Sequence, residues 1–166
     1  MAKSITKSKR GNQAELDALF TRASNLYDEG KFRAASGLYL KGAEAGDGSA
    51  QLNLGNLFSD GRGVKQDREK GLYWYRRAYR RGWGAAAYNI GLVYRDEEKF
   101  GRAVAWLGRA VKLEDADANL EIAKIHIRKN DRTSAIRCLK LISKATVGSI
   151  SEESREEAQQ LLARLN

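Results

Sequence analysis

Apolar residues along this chain recur at steps of three and four. Leu54, Leu57 and Phe58 form one such run, Ile90, Val93 and Tyr94 a second, and Ile122 and Ile125 a third. That period is helical. Each run carries a small residue at a matching place, and a further pattern follows it. Ala23 is followed by Gly30, Phe32, Ala35 and Tyr39; Gly55 by Gly71, Tyr75 and Ala78. Gly91 is followed by Phe100, Ala103, Leu107 and Ala110, and Ala123 by Ala135, Leu139 and Ile142. The four anchors, Ala23, Gly55, Gly91 and Ala123, are spaced 32, 36 and 32 residues apart. A second small residue falls 12 positions on at Ala35, Ala103 and Ala135, but 16 on at Gly71. The second unit therefore carries four extra residues, within Ser59–Asp67.

Glycine inside a helix costs about 1 kcal/mol against alanine. Keeping it at Gly55 and Gly91, amid helical periodicity, points to helices that approach closely there. Each unit reads as a helical hairpin, with a first helix A and a second helix B. One hairpin cannot bury its apolar face alone, so the units must stack. The chain has no proline, which leaves its helices uninterrupted.

These residues resemble two related repeat families. Tyr88-Asn-Ile-Gly91-Leu-Val-Tyr94, with Lys99-Phe100, Ala103 and Ala110, is similar to a tetratricopeptide repeat. Ala50 through Gly55, with Asp60-Gly61-Arg-Gly63-Val64, Asp67, Lys70, Trp74-Tyr75, Ala78 and Gly82, resembles a Sel1-like repeat. The chain departs from the pattern at Gly71 and Tyr79, where Sel1-like repeats favour alanine, and in lacking the proline that often ends helix B. The resemblance implies an all-α, right-handed α-solenoid of about four helix-turn-helix repeats with a C-terminal capping helix. It also implies a scaffold that binds a protein or peptide and is not an enzyme.

Composition divides the chain further. Residues 1–12 hold Lys3, Lys7, Lys9 and Arg10 and no acid, and read as a disordered basic arm. The repeat domain spans 13–145. Residues 146–166 form a linker and a helix opening at Ser151-Glu152-Glu153, with Leu161, Leu162 and Leu165 on its apolar side; acids suit a helix start. No apolar run reaches the length of a membrane span, and Met1–Gly11 lacks the apolar segment of a secretory signal. The expected localisation is cytoplasmic.

The net charge is +9, and it is sorted. The A segments sum to −5 and the B segments to +13. The resemblance places A helices on a concave face and B helices on a convex one, so the excess positive charge is expected outside. Its densest part is Arg76, Arg77, Arg80 and Arg81, which helical spacing sets in two adjacent stripes. Tyr73, Trp74, Tyr75, Tyr79 and Trp83 interleave with it, and arginine among aromatics can bind phosphates and stack bases. Nucleic acid on this face and the arm is the alternative function, set against an acidic protein partner or a solvated face. Trp74 and Tyr75 match core positions of the resemblance.

The resemblance also gives lining positions for a peptide on the A helices. They are Ser24, Tyr27 and Asp28; Asn56, Ser59 and Asp60; Tyr88, Leu92, Arg95 and Asp96; and Lys124 and Arg128. Asn56 can hold an extended backbone through both its donor and its acceptor. Asp28, Asp60 and Asp96 suit a ligand with basic character. The asparagines and lysines that clamp a terminal carboxylate in some tetratricopeptide domains are incomplete, with Leu92 at one asparagine position.

Catalytic chemistry has little material. His126 and Cys138 are the single histidine and cysteine, which excludes a disulfide within the chain and any multi-cysteine zinc site. His126 falls at an interior aromatic position, and Cys138 precedes the core residue Leu139. Asp96-Glu97-Glu98 reads as a solvated helix end. Gly61-Arg62-Gly63 lacks the Lys-Ser/Thr of a phosphate loop. No cofactor and no metal are expected. The sequence reads as a non-enzymatic protein-interaction module, an adaptor or a dedicated inhibitor or immunity protein.

Overall fold

In the computed structural model, the described residues are 2–144 and 150–165, with side chains from residue 13 onward. Among them are nine helices and no strand: α1 (Ala2–Asp28), α2 (Phe32–Glu44), α3 (Gly48–Asp60), α4 (Arg68–Tyr79), α5 (Gly84–Asp96), α6 (Phe100–Lys112), α7 (Ala118–Arg128), α8 (Arg132–Lys144) and α9 (Glu152–Leu165). The chain divides into two compact units, Met1–Trp83 and Gly84–Asn166. The expected arm falls on the first residues of α1, whose side chains lie outside this description. Most of the expected linker, 146–149, lies outside the described residues.

Helix pairing follows the repeat. In the first unit α1 packs on α2, α2 on α3, and α3 on α4; in the second, α5 packs on α6, α6 on α7, α7 on α8, and α8 on α9. Three of the hairpins turn in three residues, 29–31, 97–99 and 129–131, whereas α3 and α4 are joined by seven, 61–67. The extra four residues of the second repeat are this turn. The short turns share one geometry. Their middle residues Gly30, Glu98 and Asn130 have φ of 74°, 56° and 59°. The following N–H groups of Lys31, Lys99 and Asp131 reach back to the carbonyls of Leu26, Tyr94 and His126 at 2.8, 2.9 and 2.8 Å. That bond satisfies a carbonyl orphaned at the helix end.

The small residues sit where two helices meet. Ala23, Ala35, Ala103, Ala123 and Ala135 are fully buried. A Cβ on Gly55 would fall 2.5 Å from the ring of Tyr75, and one on Gly91 would fall 2.6 Å from Cγ of Leu107. Gly71 approaches Ser59 and the Gly55 carbonyl in the same hairpin. These glycines are in helices and clear space for the facing helix. The first unit's core gathers Tyr39, Leu54, Leu57 and Trp74 around its alanines, with Phe20, Phe32 and Phe58 against them. The second unit's terminal core joins Leu120, Leu139 and Ile142 to Ile150 and Ala158. Leu161, Leu162 and Leu165 pack on that cluster, so α9 covers the apolar end of α8.

Side chains cap the helix starts. The Asp47 carboxylate accepts the Ala50 N–H at 2.6 Å, Asp67 that of Lys70 at 2.9 Å, and Asp131 that of Ser134 at 3.1 Å. Each satisfies a donor that the first helical turn leaves unpaired. The Lys70 backbone bond holds the Asp67 carboxyl below its usual range. The Ser134 backbone bond does the same for Asp131.

Candidate functional site

The predicted lining positions divide between the units, and the two sets behave differently. In the first unit they are tied to their own hairpins. The Tyr75 hydroxyl donates to Oδ1 of Asn56 at 2.7 Å, so the acceptor proposed for a peptide backbone already serves the core. Nη1 of Arg62 donates to the Tyr27 hydroxyl at 2.9 Å, and its guanidinium lies over the Phe32 ring. Gly63 beside it presses on the backbone of Phe32 and Arg33. The long α3–α4 turn therefore folds back onto the α1–α2 turn. Asp60 pairs with Arg62 at 3.6 Å. Ser24 and Ser59 are half-buried near Tyr39 and Tyr75, and Asp28 is exposed.

In the second unit four predicted residues converge. Arg95, Asp96, Lys124 and Arg128 line one pocket of about 270 Å³, together with Glu121 and Ile125. The repeat explains the assembly. Arg95 and Asp96 end α5, while Glu121, Lys124, Ile125 and Arg128 recur at three- and four-residue steps on α7. They therefore share one side of that helix. Glu121 is the centre. The residue is 6% exposed, and its carboxylate accepts from Nη1 of Arg95 and, at 3.1 Å, from Nζ of Lys124. Arg95 also grips Asp96 at 2.7 Å, and Lys124 reaches Glu157 of α9 at 2.9 Å.

Burial works against the charge on Arg95, but its bonds to Asp96 and Glu121 outweigh this and hold it above its usual value. Lys124 is raised in the same way: burial opposes, and the bonds to Glu157 and Glu121 prevail. Tyr88 is half-buried nearby, and burial, then the charges of Glu121, Asp115 and Asp117, push its phenol up to about 12. Leu92 is half-buried on α5 between Tyr88 and Arg95 in sequence.

Sequence reasoning missed Glu121. Within Leu120-Glu-Ile-Ala-Lys124 it reads as one more polar helix position. The one local signal is Lys124 three residues on, a spacing that suits an ion pair. Its half-buried partner, Arg95, lies on another helix.

The basic cluster is less regular than its spacing suggests. Helix α4 ends at Tyr79, so Arg80 is its cap residue and Arg81 lies beyond it. The two stripes on one helix are thus cut short; Gly82, at φ 90°, turns the chain away. The Arg77 guanidinium lies 5.2 Å from the Trp74 ring centre and donates to the Tyr73 hydroxyl at 3.1 Å. Nε of Arg80 donates to the Arg76 carbonyl at 3.2 Å. The Arg81 guanidinium rests on Gly46, and Trp83 on Gly48. Trp74 and Tyr75 are buried as core residues, while Tyr73 is 49% and Trp83 40% exposed.

His126 and Cys138 have ordinary surroundings. Nδ1 of His126 lies 3.0 Å from Oδ2 of Asp131, the residue capping α8. Burial pushes the Cys138 thiol up, away from the thiolate a nucleophile needs. Among the described residues no group of three His, Cys, Asp or Glu could hold a metal ion, and no helix is long and apolar enough to cross a membrane.

Comparison with known proteins agrees with this architecture. Residues 48–83 match the Sel1 repeat and residues 85–117 the tetratricopeptide repeat. No curated protein is similar enough to this chain to count as a relative. Among solved structures, a Sel1 repeat protein from Oxalobacter formigenes matches with a TM-score of 0.67 and 24% identity, over 97% of this chain and 72% of that one. This shows the fold: an all-α solenoid of helix-turn-helix repeats. Weaker matches are c5321, a protective antigen of uropathogenic Escherichia coli with an SLR fold (TM-score 0.39, 19% identity, 80% of this chain and 39% of that one), and the immunity protein Pa5087 of Pseudomonas aeruginosa (TM-score 0.35, 17% identity, 91% and 82%).

Proposed function

We propose that this chain, a Sel1-like and tetratricopeptide repeat protein, is a non-enzymatic module that binds a protein or peptide, as an adaptor or as the dedicated inhibitor of one partner. Repeats of these two kinds serve protein–protein interaction in general. The observation that supports a binding role here is the pocket between α5 and α7. Four lining positions implied by the tetratricopeptide resemblance meet there, around the buried Glu121. A chain built only to stack hairpins needs apolar contacts at that seam. An ion-pair network around one buried carboxylate adds little stability over such contacts, and its presence suits a surface that must present charge in fixed geometry.

Purification of the tagged full chain from its native host, with nuclease treatment, tests this reading. The expected result is a stoichiometric protein partner that survives the nuclease. Recovery of nucleic acid alone, lost on nuclease treatment, would overturn it.

A further inference from the structure

We propose that the α5–α7 pocket receives a carboxylate side chain of an acidic segment in the protein partner, with Arg128 as its anchor and Glu157 of α9 as a resident competitor for Lys124. This rests on the protein-binding reading above and gives the partner its chemistry. It reverses the sign expected from the lining acids, which suggested a basic ligand.

The reversal follows from where the charges are spent. Asp96 is bound by Arg95, and Glu121 by Arg95 and Lys124. Neither carboxylate is left for a basic ligand without breaking an existing pair. The lining holds three cations against these two acids, and Glu157 of α9 pairs with Lys124 as a third acid beside it. Arg128 is exposed and makes no ion pair among the described residues. The pocket lies at the C-terminal end of α5 and runs along α7 from its first turn to its last; helix dipoles disfavour an anion at those C-terminal ends, and the positive charge of Arg128 opposes that. About 270 Å³ is just below the usual size of small-molecule sites, roughly 300–1,000 Å³. It suits one or two side chains of a longer segment.

The fold already seats an acidic helix at this edge. Helix α9 opens Glu152-Glu-Ser-Arg-Glu-Glu157, and Glu157 meets Lys124 at 2.9 Å while 44% exposed. An incoming carboxylate bound at Arg128 lies within reach of the same lysine side, so it competes with Glu157.

The probe is a fluorescein-labelled helical peptide of Glu, Ala and Leu, with Gln and Lys versions, titrated against the full chain and followed by anisotropy and by the arginine Nε–H signals in NMR. The acidic peptide is expected to bind best. Arg128→Gln should weaken it about fivefold, and Glu157→Gln should tighten it. Arg137→Gln removes the same charge from an exposed site on α8 and should have a smaller effect. Circular dichroism checks that each variant keeps its helices. Equal effects of Arg128→Gln and Arg137→Gln, or a preference for the Lys peptide, would overturn the proposal. If the chain captures a host protein whose binding ignores Arg128→Gln, the pocket assignment fails and the protein-binding reading stands. If no protein is captured yet the acidic peptide depends on Arg128, the reverse holds.

Discussion

Hairpins α3–α4 and α5–α6 solve one packing problem with different chemistry. Both place a glycine in the A helix where the B helix crosses. At Gly55 the space is filled by the Tyr75 ring, whose hydroxyl is tied to Asn56; at Gly91 it is filled by Leu107. The first joins its helices by a seven-residue turn anchored on the preceding hairpin, the second by three residues. The first unit secures its A-helix positions with tyrosine hydroxyls, and the second with ion pairs around Glu121. The repeat thus specifies the small residue and its spacing. What fills the space, and what the A face presents, is free to differ.

The largest test of this contrast is a single methyl group. Gly55→Ala should destabilise the chain by about 3 kcal/mol, despite alanine's better helix propensity. The opposing ring is rigid and pinned at its hydroxyl. Gly91→Ala meets an aliphatic side chain that can shift its rotamer, and should cost about 1 kcal/mol. Urea midpoints at unchanged slope measure both. Equal costs would mean that the nature of the filler is irrelevant.

Alkaline titration sharpens the comparison next. Burial pushes Tyr75 and Tyr88 up to about 12, against about 10 in an unfolded chain. The folded state therefore binds these protons more tightly. The stability they contribute is complete below about pH 10 and is lost as pH rises through 12. At pH 11 each accounts for about 1.4 kcal/mol of loss. Tyr75→Phe and Tyr88→Phe should each remove one such increment from the pH 9–11 difference in unfolding free energy. A pH dependence identical to that of the parent would place both phenols in water.

Much of this was legible in the sequence. The spacing of Ala23, Gly55, Gly91 and Ala123 located four hairpins, and the 16-residue interval to Gly71 located the long turn. Period and composition carry that information because hairpin packing is local. The ties between helices were not legible. Asn56 reads as a peptide-binding amide until Tyr75, 19 residues on, is seen to occupy its oxygen. Glu121 reads as solvated until α5 places Arg95 against it. The arginine stripe read as continuous because helical spacing was carried past Tyr79, where the turn before Gly82 ends the helix.

The shared turn geometry allows a smaller test. Gly30 holds the left-handed middle position in the first unit, whereas Glu98 holds it at φ 56° in the second. A non-glycine residue there is strained by roughly 1 kcal/mol or more. Glu98→Gly should stabilise the chain by about 1 kcal/mol, because its side chain is exposed. A loss of stability would mean that this glutamate makes a tie the turn requires.

The smallest effect on stability is expected on the basic face, where the question concerns binding. Replacing Arg76, Arg77, Arg80 and Arg81 with glutamine should change stability by at most about 1 kcal/mol. Relief of like-charge repulsion offsets the loss of the Arg77 stack on Trp74. If all four met phosphates, the log–log salt slope for duplex DNA would flatten by about 3.6. The structure argues for less. Arg77 is laid over rings and Arg81 over Gly46, and the helix that would align them ends at Tyr79. The expected result is a flattening well below 3.6, measured with a generic oligonucleotide at several salt concentrations. Loss of a protein partner by the same variant, with oligonucleotide retention unchanged, would assign this face to that partner. The full flattening would restore nucleic acid as the ligand of α4, and would require Arg77 and Arg81 to leave the contacts that hold them.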